Sequence, residues 1–438
     1  MYSPVPDSVA PLPGFIVRYR NVWVVGLHVL LLACLTSALY AFGIIRYLPS
    51  NDTLFRWDVI WYNQIRESGY VYSETQMSNA AFFPMLPYVW RLSGLWLLGM
   101  SLLNASLFLA ASAWLAHQLR LPPRLQLLLL STPSLLFMVV PYTEALFFVF
   151  STLLVLGLRR RRLWWWLLGL LGCGLTRSAS TMFTPALVFM VFMWAMQPGQ
   201  RKTAIVWGAS GLGALLLSIG LVATTQWYQT GEPLGFIRAQ KHWGHTLRAL
   251  NFPFSDPSGI DVLWLDAQAL WLGVAAAGLC TWLAWRWLLQ WRQQRAFPIL
   301  APEVIFALGY CVGVTLFILS YQGGSLWNIG RYIFATPFFV VLVAYQASLP
   351  AWPWRRYLLI AAGTMLFWQV FGIYSLNFDT FSTGQAIWYF GLVTAYLVAY
   401  LAWRQLRWQR EITMLLYVFN LVMLLHMLEG WLQYYVVQ

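Results

Sequence analysis

The chain has 438 residues, of which 60% are hydrophobic, 18% aromatic and only 9% charged, with a mean hydropathy of +0.63 and a formal net charge of +13. These figures exclude an ordinary soluble globule and require a polytopic membrane protein. The excess of base would suit a nucleic-acid partner if it were gathered into one domain, but it is scattered between apolar runs, so no nucleic acid is needed.

The first twenty residues, MYSPVPDSVAPLPGFIVRYR, have no compact apolar core and no small-residue cleavage site, and do not read as a removable signal. Spans are predicted near 22–45, 100–119, 125–139, 141–158, 163–177, 181–196, 203–224, 263–285, 302–320, 332–348, 357–376, 386–403 and 412–435. A bilayer core takes about 20 apolar residues as helix, and the short alternating strands of a barrel are not seen. The expected fold class is an all-α polytopic bundle of about thirteen transmembrane helices, with interfacial helices in the first outer loop.

With the N-terminus inside, the inner segments hold Arg18, Arg20, Arg120, Arg124, Arg159 to Arg162, Arg201, Lys202, Arg286, Arg292, Arg295, Arg355, Arg356, Arg404, Arg407 and Arg410. These are 18 of the 27 basic residues, against only Asp7, Glu303 and Glu411 on the same side. That asymmetry is the positive-inside signature and sets the expected orientation. The outer face then receives long segments at 46–99 and 225–262 and short loops near 140–143, 321–331 and 377–385.

Within the first long segment, AFFPMLPYVWRLSGLWLLG (81–99) is interrupted by Pro84, Pro87, Arg91 and Gly94, which predicts an interfacial or re-entrant helix. The short segments 163–177 and 181–196 flank TRSAS around Arg177, the pattern of broken helices lining a cavity or of a tilted pair joined at the surface. From about residue 350 onward the chain reads as scaffold, with Gln369, Asn377, Asp379 and Glu429 as polar exceptions. The expected division is a catalytic transmembrane module over 1–340 and C-terminal transmembrane helices over 341–438. Cys34, Cys173, Cys280 and Cys311 all lie in apolar runs without metal-ligand spacing, as packing residues do.

The stretch WDVIWYNQIRESGY (57–70) sets Asp58 just beyond the first span, among Trp57, Trp61 and Tyr62 and two residues after Arg56. A carboxylate there is expensive unless it has a task, and general-base removal of a hydroxyl proton fits; pairing with Arg56 or capping the following helix is the structural alternative. Arg177, Arg238, Lys241 and Arg331 are the outer-side cations suited to phosphate oxygens. In GEPLGFIRAQKHWGH (231–245), Arg238, Lys241, His242 and His245 would share one face of a helix, as a phosphate clamp or as snorkelling side chains; the two histidines have no third ligand to make a metal site. Glu144 in PYTEALFF opens a span, where it either caps the helix or supports a substrate. Asp52, Asp58, Glu67 and Glu74 are the carboxylates that would hold a magnesium or manganese ion, although their spacing matches no defined loop. No glycine-rich phosphate loop is present.

In this order, WDVIWYNQIRESGY, AFFPMLPYVWRL, PYTEALFF, GLTRSAS, GEPLGFIRAQKHWG and GRYIFATPFF resemble the mannosyltransferase family that adds the second mannose in glycosylphosphatidylinositol assembly, together with its bacterial relatives. The resemblance spans about residues 56–340. It implies the GT-C class of membrane glycosyltransferases, a polyprenyl-phosphate sugar donor and a catalytic aspartate in the first outer loop, the position Asp58 occupies. Val59 and Ser178 depart from the family pattern, which often has serine or alanine after the aspartate and proline after the arginine of LTR.

The expected function is transfer of a sugar, mannose by resemblance, from a polyprenyl-phosphate donor to a lipid-linked or glycan acceptor. Asp58 acts as base, and Arg331, with Arg177 or Arg238, stabilises the departing phosphate. Arg56, Trp57, Tyr62, Glu144, Lys241 and His242 complete the expected substrate-binding set. Short inner loops and intramembrane cysteines point to a bacterial plasma membrane with an outward site; the triplet Asn51-Asp52-Thr53 fits a glycan acceptor and keeps the endoplasmic reticulum as the alternative. A transporter or flippase of a lipid-linked glycan is the rival, and it predicts paired repeats or ionisable groups near the midplane.

Overall fold

The computed structural model describes residues 19–292, 300–371, 375–376 and 381–433. Asp7, Arg18, Arg295, Asn377 and Asp379 lie outside the described residues. The helices, in chain order, begin with α1 (Arg20–Ala41), α2 (Asp58–Ser68), α3 (Met85–Ser93), α4 (Leu97–Leu119), α5 (Pro123–Leu130) and α6 (Glu144–Arg160). They continue with α7 (Leu163–Thr176), α8 (Ala179–Ala195), α9 (Arg201–Thr230), α10 (Gly235–Arg238), α11 (Ile260–Arg292) and α12 (Pro302–Gln322). The last are α13 (Ile329–Phe334), α14 (Pro337–Ser348), α15 (Trp354–Phe371), α16 (Thr383–Ala402) and α17 (Gln409–Leu432). Among the described residues, extended backbone pairs in two-residue strands, β1 (Ser255–Asp256) parallel to β2 (Ser375–Leu376), and in an isolated parallel bridge between Ser255 and Ser325.

Among the described residues, seven helices are long and apolar enough to cross a membrane: α1, α4, α9, α11, α12, α16 and α17. Their outward flanks carry large exposed apolar side chains, such as Leu30 on α1 and Leu216 on α9, which lipid accommodates and water does not. The protein is an all-α integral membrane protein. Helix α3, nine residues long, is too short to cross as a helix.

Two of the thirteen expected spans are not single helices, and the reason is the same in both. Segment 125–139 stops after α5, and Thr132 turns extended (φ −53°, ψ 124°) before a 3-10 helix over Pro133–Met138. Segment 332–348 stops after α13, with Thr336 extended (φ −140°, ψ 152°) before Pro337 opens α14. Proline disfavours the helical conformation in the residue before it, and at both of these steps the threonine is extended, whereas Thr184-Pro185 stays within α8. The two detached pieces, Pro133–Met138 and α13, pack against each other.

Close helix contacts hold the frame around them. A Cβ on Gly313 or Gly309 of α12 would lie 2.5 or 2.7 Å from the backbone of Met182 or Ala186 on α8, so only glycine permits this approach. Helix α6 runs from Glu144 at its first residue to Arg159 and Arg160 at its last, about 25 Å apart at the α-helical rise. The charged residues therefore collect at two ends. Arg159 pairs with Glu303 at 3.1 Å at one end, and Glu144 gathers a different set at the other.

Candidate active site

Asp58 is the first residue of α2, and the backbone just before it is strained. Trp57 has φ 51°, ψ −131°, a conformation that bulky L-residues rarely hold and that costs about 1–3 kcal/mol. The turn is fixed from both sides. The Asp58 N–H donates to the Tyr142 hydroxyl at 3.4 Å, and the indole N–H of Trp431 on α17 donates to the same oxygen at 3.4 Å. Tyr142 is in turn held by α4, where the buried Asn104 amide donates to the carbonyls of Val140 (2.8 Å) and Tyr142 (2.9 Å).

Glu144, fully buried two residues on, is the hub of the site. Its Oε1 accepts from Arg331 Nε at 2.6 Å and lies 3.2 Å from a terminal nitrogen of Arg177. Arg331 also presents Nη2 to Asp58 Oδ2 at 3.8 Å, and its guanidinium lies over the rings of Phe137 and Tyr142, each at 4.6 Å. Arg177, in the extended bend between α7 and α8, lies over the Tyr332 ring at 4.2 Å. Two carboxylates thus face two guanidinium groups, with aromatic rings on the cations, and the formal charge of the four closes to zero.

Exposure separates the two acids. Asp58 keeps 23% of its side-chain surface, whereas Glu144 has none. Burial nevertheless pushes the Asp58 carboxyl above the ordinary aspartate value, with the Arg331 charge pulling it the other way and Glu144 adding a smaller push upward. Asp58 is the accessible acid of the pair, and Glu144 meets the two arginines in the interior.

Arg331 owes its place to a further buried acid. Asp266 on α11, 2% exposed, accepts the Gly330 N–H at 2.6 Å, and a Cβ on Gly330 would lie 2.6 Å from that same oxygen. The start of α13, and with it Arg331, is seated on α11 by this contact.

The remaining predicted residues are divided. Tyr62 sits one helical turn after Asp58, edge-on to Tyr142 (6.3 Å) and to Phe82 (5.1 Å). Trp57 is half-buried against the core, Arg56 directs Nε to the Leu432 carbonyl at 3.2 Å, and Arg331 faces Asp58. Arg238, Lys241 and His242 do not join the cluster. Their segment is a single helical turn followed by a 3-10 turn over Ala239–Lys241, so the shared helix face expected of Arg238, Lys241, His242 and His245 does not form. Arg238 pairs with Glu232 at 2.7 Å, His242 Nε2 meets the Glu74 carbonyl at 2.9 Å, and His245 Nδ1 meets Gln240 Oε1 at 2.6 Å. Lys241 is exposed. What the segment does bring to α2 is Trp243, which packs edge-on against Trp61 and Phe82, each at 5.2 Å.

The four loop carboxylates do not assemble either: among the described residues no group of three His, Cys, Asp or Glu is placed to hold a metal ion, and Glu67 is exposed beside Arg66 at 4.0 Å. Tyr142, Tyr332, Phe137, Asp266 and Trp431 are not expected at the site from sequence. Tyr142 and Tyr332 adjoin flagged motif residues, so PYTE and GRY carry a signal; Trp431 lies in the tail that reads as scaffold, and nothing local marks it. Compared with protein family models, curated proteins and solved structures, the chain matches none of them.

Proposed function

We propose that the protein is a membrane glycosyltransferase that moves a sugar from a polyprenyl-phosphate donor to a hydroxyl acceptor, with Asp58 as the general base. The observation that carries this reading is the pairing of a partly exposed carboxylate with a guanidinium 3.8 Å away whose Nε is already bonded to a buried acid. Asp58 takes the acceptor proton as the acceptor oxygen bonds to the anomeric carbon. The bond from that carbon to the phosphate oxygen breaks on the opposite face, inverting the configuration. The polyprenyl phosphate leaves as an anion, and the Nη face of Arg331, preset by Glu144 and by the rings beneath it, stabilises the charge it gains. Arg177 shares the same Glu144 oxygen at 3.2 Å and so helps hold that acid in place. Trp61, Phe82 and Trp243 offer apolar ring faces one turn along α2 from the base, a suitable surface for a sugar ring.

Mannose is the first sugar to test, on the motif resemblance, and an outward-facing site in a bacterial plasma membrane is the location it suits. The experiment is transfer from polyprenyl-phosphate mannose to a lipid or glycan extract by purified wild type and Asp58→Asn, with monodisperse elution required of both. Transfer by wild type that disappears in the folded variant supports the assignment. Equal transfer by both removes Asp58 from the role of base.

A further inference from the structure

At the end of α6 opposite Glu144, four arginines surround a cavity of about 770 Å³. Arg20 opens α1, Arg120 follows α4, and Arg159 and Arg160 close α6. Among the described residues Glu303, paired with Arg159 at 3.1 Å, is the one carboxylate bound to any of the four. Their other contacts are uncharged: Arg20 donates to the Leu121 carbonyl at 3.2 Å, and Arg160 to the Gln118 side chain. The cavity lining keeps a surplus of positive charge.

The surroundings select an amphiphile over a soluble anion. Directly beyond Arg20, Val22 and Trp23 are 57% and 56% exposed, and the apolar window of α1 is only 11% buried in the protein. A ligand with its phosphate among the arginines would lay its chains along that unburied flank, with Trp23 at the boundary. We propose that this cavity is a binding site for the headgroup of an anionic glycerophospholipid, its phosphate held by Arg20, Arg120, Arg159 and Arg160. The site is separate from the Asp58 cluster and stands whether or not the proposed reaction does.

The test is a thermal-shift titration of the full-length protein in neutral detergent with phosphatidylglycerol at fixed salt. Wild type shows saturable stabilisation. Arg20→Gln/Arg120→Gln moves the half-point up by about tenfold, while Arg355→Gln/Arg356→Gln, which removes the same charge from exposed residues outside the cavity, moves it by less than about twofold. Equal shifts in the two pairs mean diffuse attraction and overturn the proposal, as does equal stabilisation by phosphatidylcholine. Matching saturation by glycerophosphate at the same concentration assigns the cavity to a soluble anion and also overturns it. If the glutamine pair does not fold, Arg20→Lys/Arg120→Lys keeps the charge and loses the forked geometry. It weakens binding by about threefold, and an unchanged half-point in that folded variant overturns the site.

Discussion

Glu144→Gln isolates what holds the site together. The substitution is nearly isosteric and removes one charge, leaving Arg331 and Arg177 opposed only by the more distant Asp58. At an effective dielectric of 20 the gross attraction across 2.6 Å and 3.2 Å is about 6 and 5 kcal/mol. Desolvation of all three groups offsets most of it, and breaking a buried pair by removing one partner costs about 3–5 kcal/mol, because the remaining charge is stranded. With an unfolding entropy of about 2.1 cal/mol/K per residue, that loss lowers the melting temperature by at least about 3 °C in a chain of this size. The assay is melting of the purified protein in neutral detergent, read by loss of the monodisperse peak after heating. Glu144→Asp, charged but one methylene shorter, falls between the two. A Glu144→Gln protein that melts within about 1 °C of wild type would show that the arginines are held by their rings and by solvent, and the hub assignment would be wrong.

Asp58→Asn is the contrasting case: the side chain is partly exposed and 3.8 Å from its partner, so stability changes by less than about 1 kcal/mol while sugar transfer is lost. A large fall in melting temperature there would make Asp58 structural. The raised Asp58 pKa gives activity and stability opposite pH slopes. The folded state binds the proton more tightly than the unfolded chain, so this group's stability contribution is complete below 3.8 and is lost as pH rises through the folded value. The rate climbs over the same interval as the carboxylate forms, with its half-point above 3.8, and Arg331→Gln moves that half-point further up by removing the opposing charge; a half-point at or below 3.8, or a downward move, contradicts this. Gly330→Ala puts a methyl 2.6 Å from Asp266 Oδ1 and displaces α13, lowering stability by about 1–3 kcal/mol and transfer with it, whereas Gly363→Ala, with nothing within 4 Å, leaves both unchanged in the same two assays.

The membrane class and most helix positions are legible because an uncharged apolar run of span length is rarely tolerated outside a bilayer. Both broken runs carry Thr-Pro, but so does α8, where Thr184-Pro185 lies inside the helix, so the dipeptide alone does not mark the breaks. Site residues divide by the kind of trace they leave. Asp58, Glu144, Arg177 and Arg331 stand out singly because charge at a membrane edge is costly. That Glu144 binds both arginines is a tertiary fact between residues as far apart as 187 positions, and no local pattern encodes it. Spacing alone puts Arg238, Lys241 and His242 on one helix face, although Gly231, Pro233, Gly235 and Gly244 crowd that segment and argue for turns.

The contact of α17 with the site bears on how the chain is made. Asp58 emerges from the ribosome early, Glu144 and Arg177 follow, and Arg331 arrives much later; the turn that aims Asp58 gains its last bracing only when Trp431 reaches Tyr142 and Leu432 reaches Arg56. Until then two buried arginines and two acids must wait in an unfinished bundle, where a misplaced span would strand a charge in lipid. A chain interrupted before α17 lacks both the Trp431 bond to Tyr142 and the carbonyl that Arg56 meets, and with them two of the contacts beside the strained turn at Trp57.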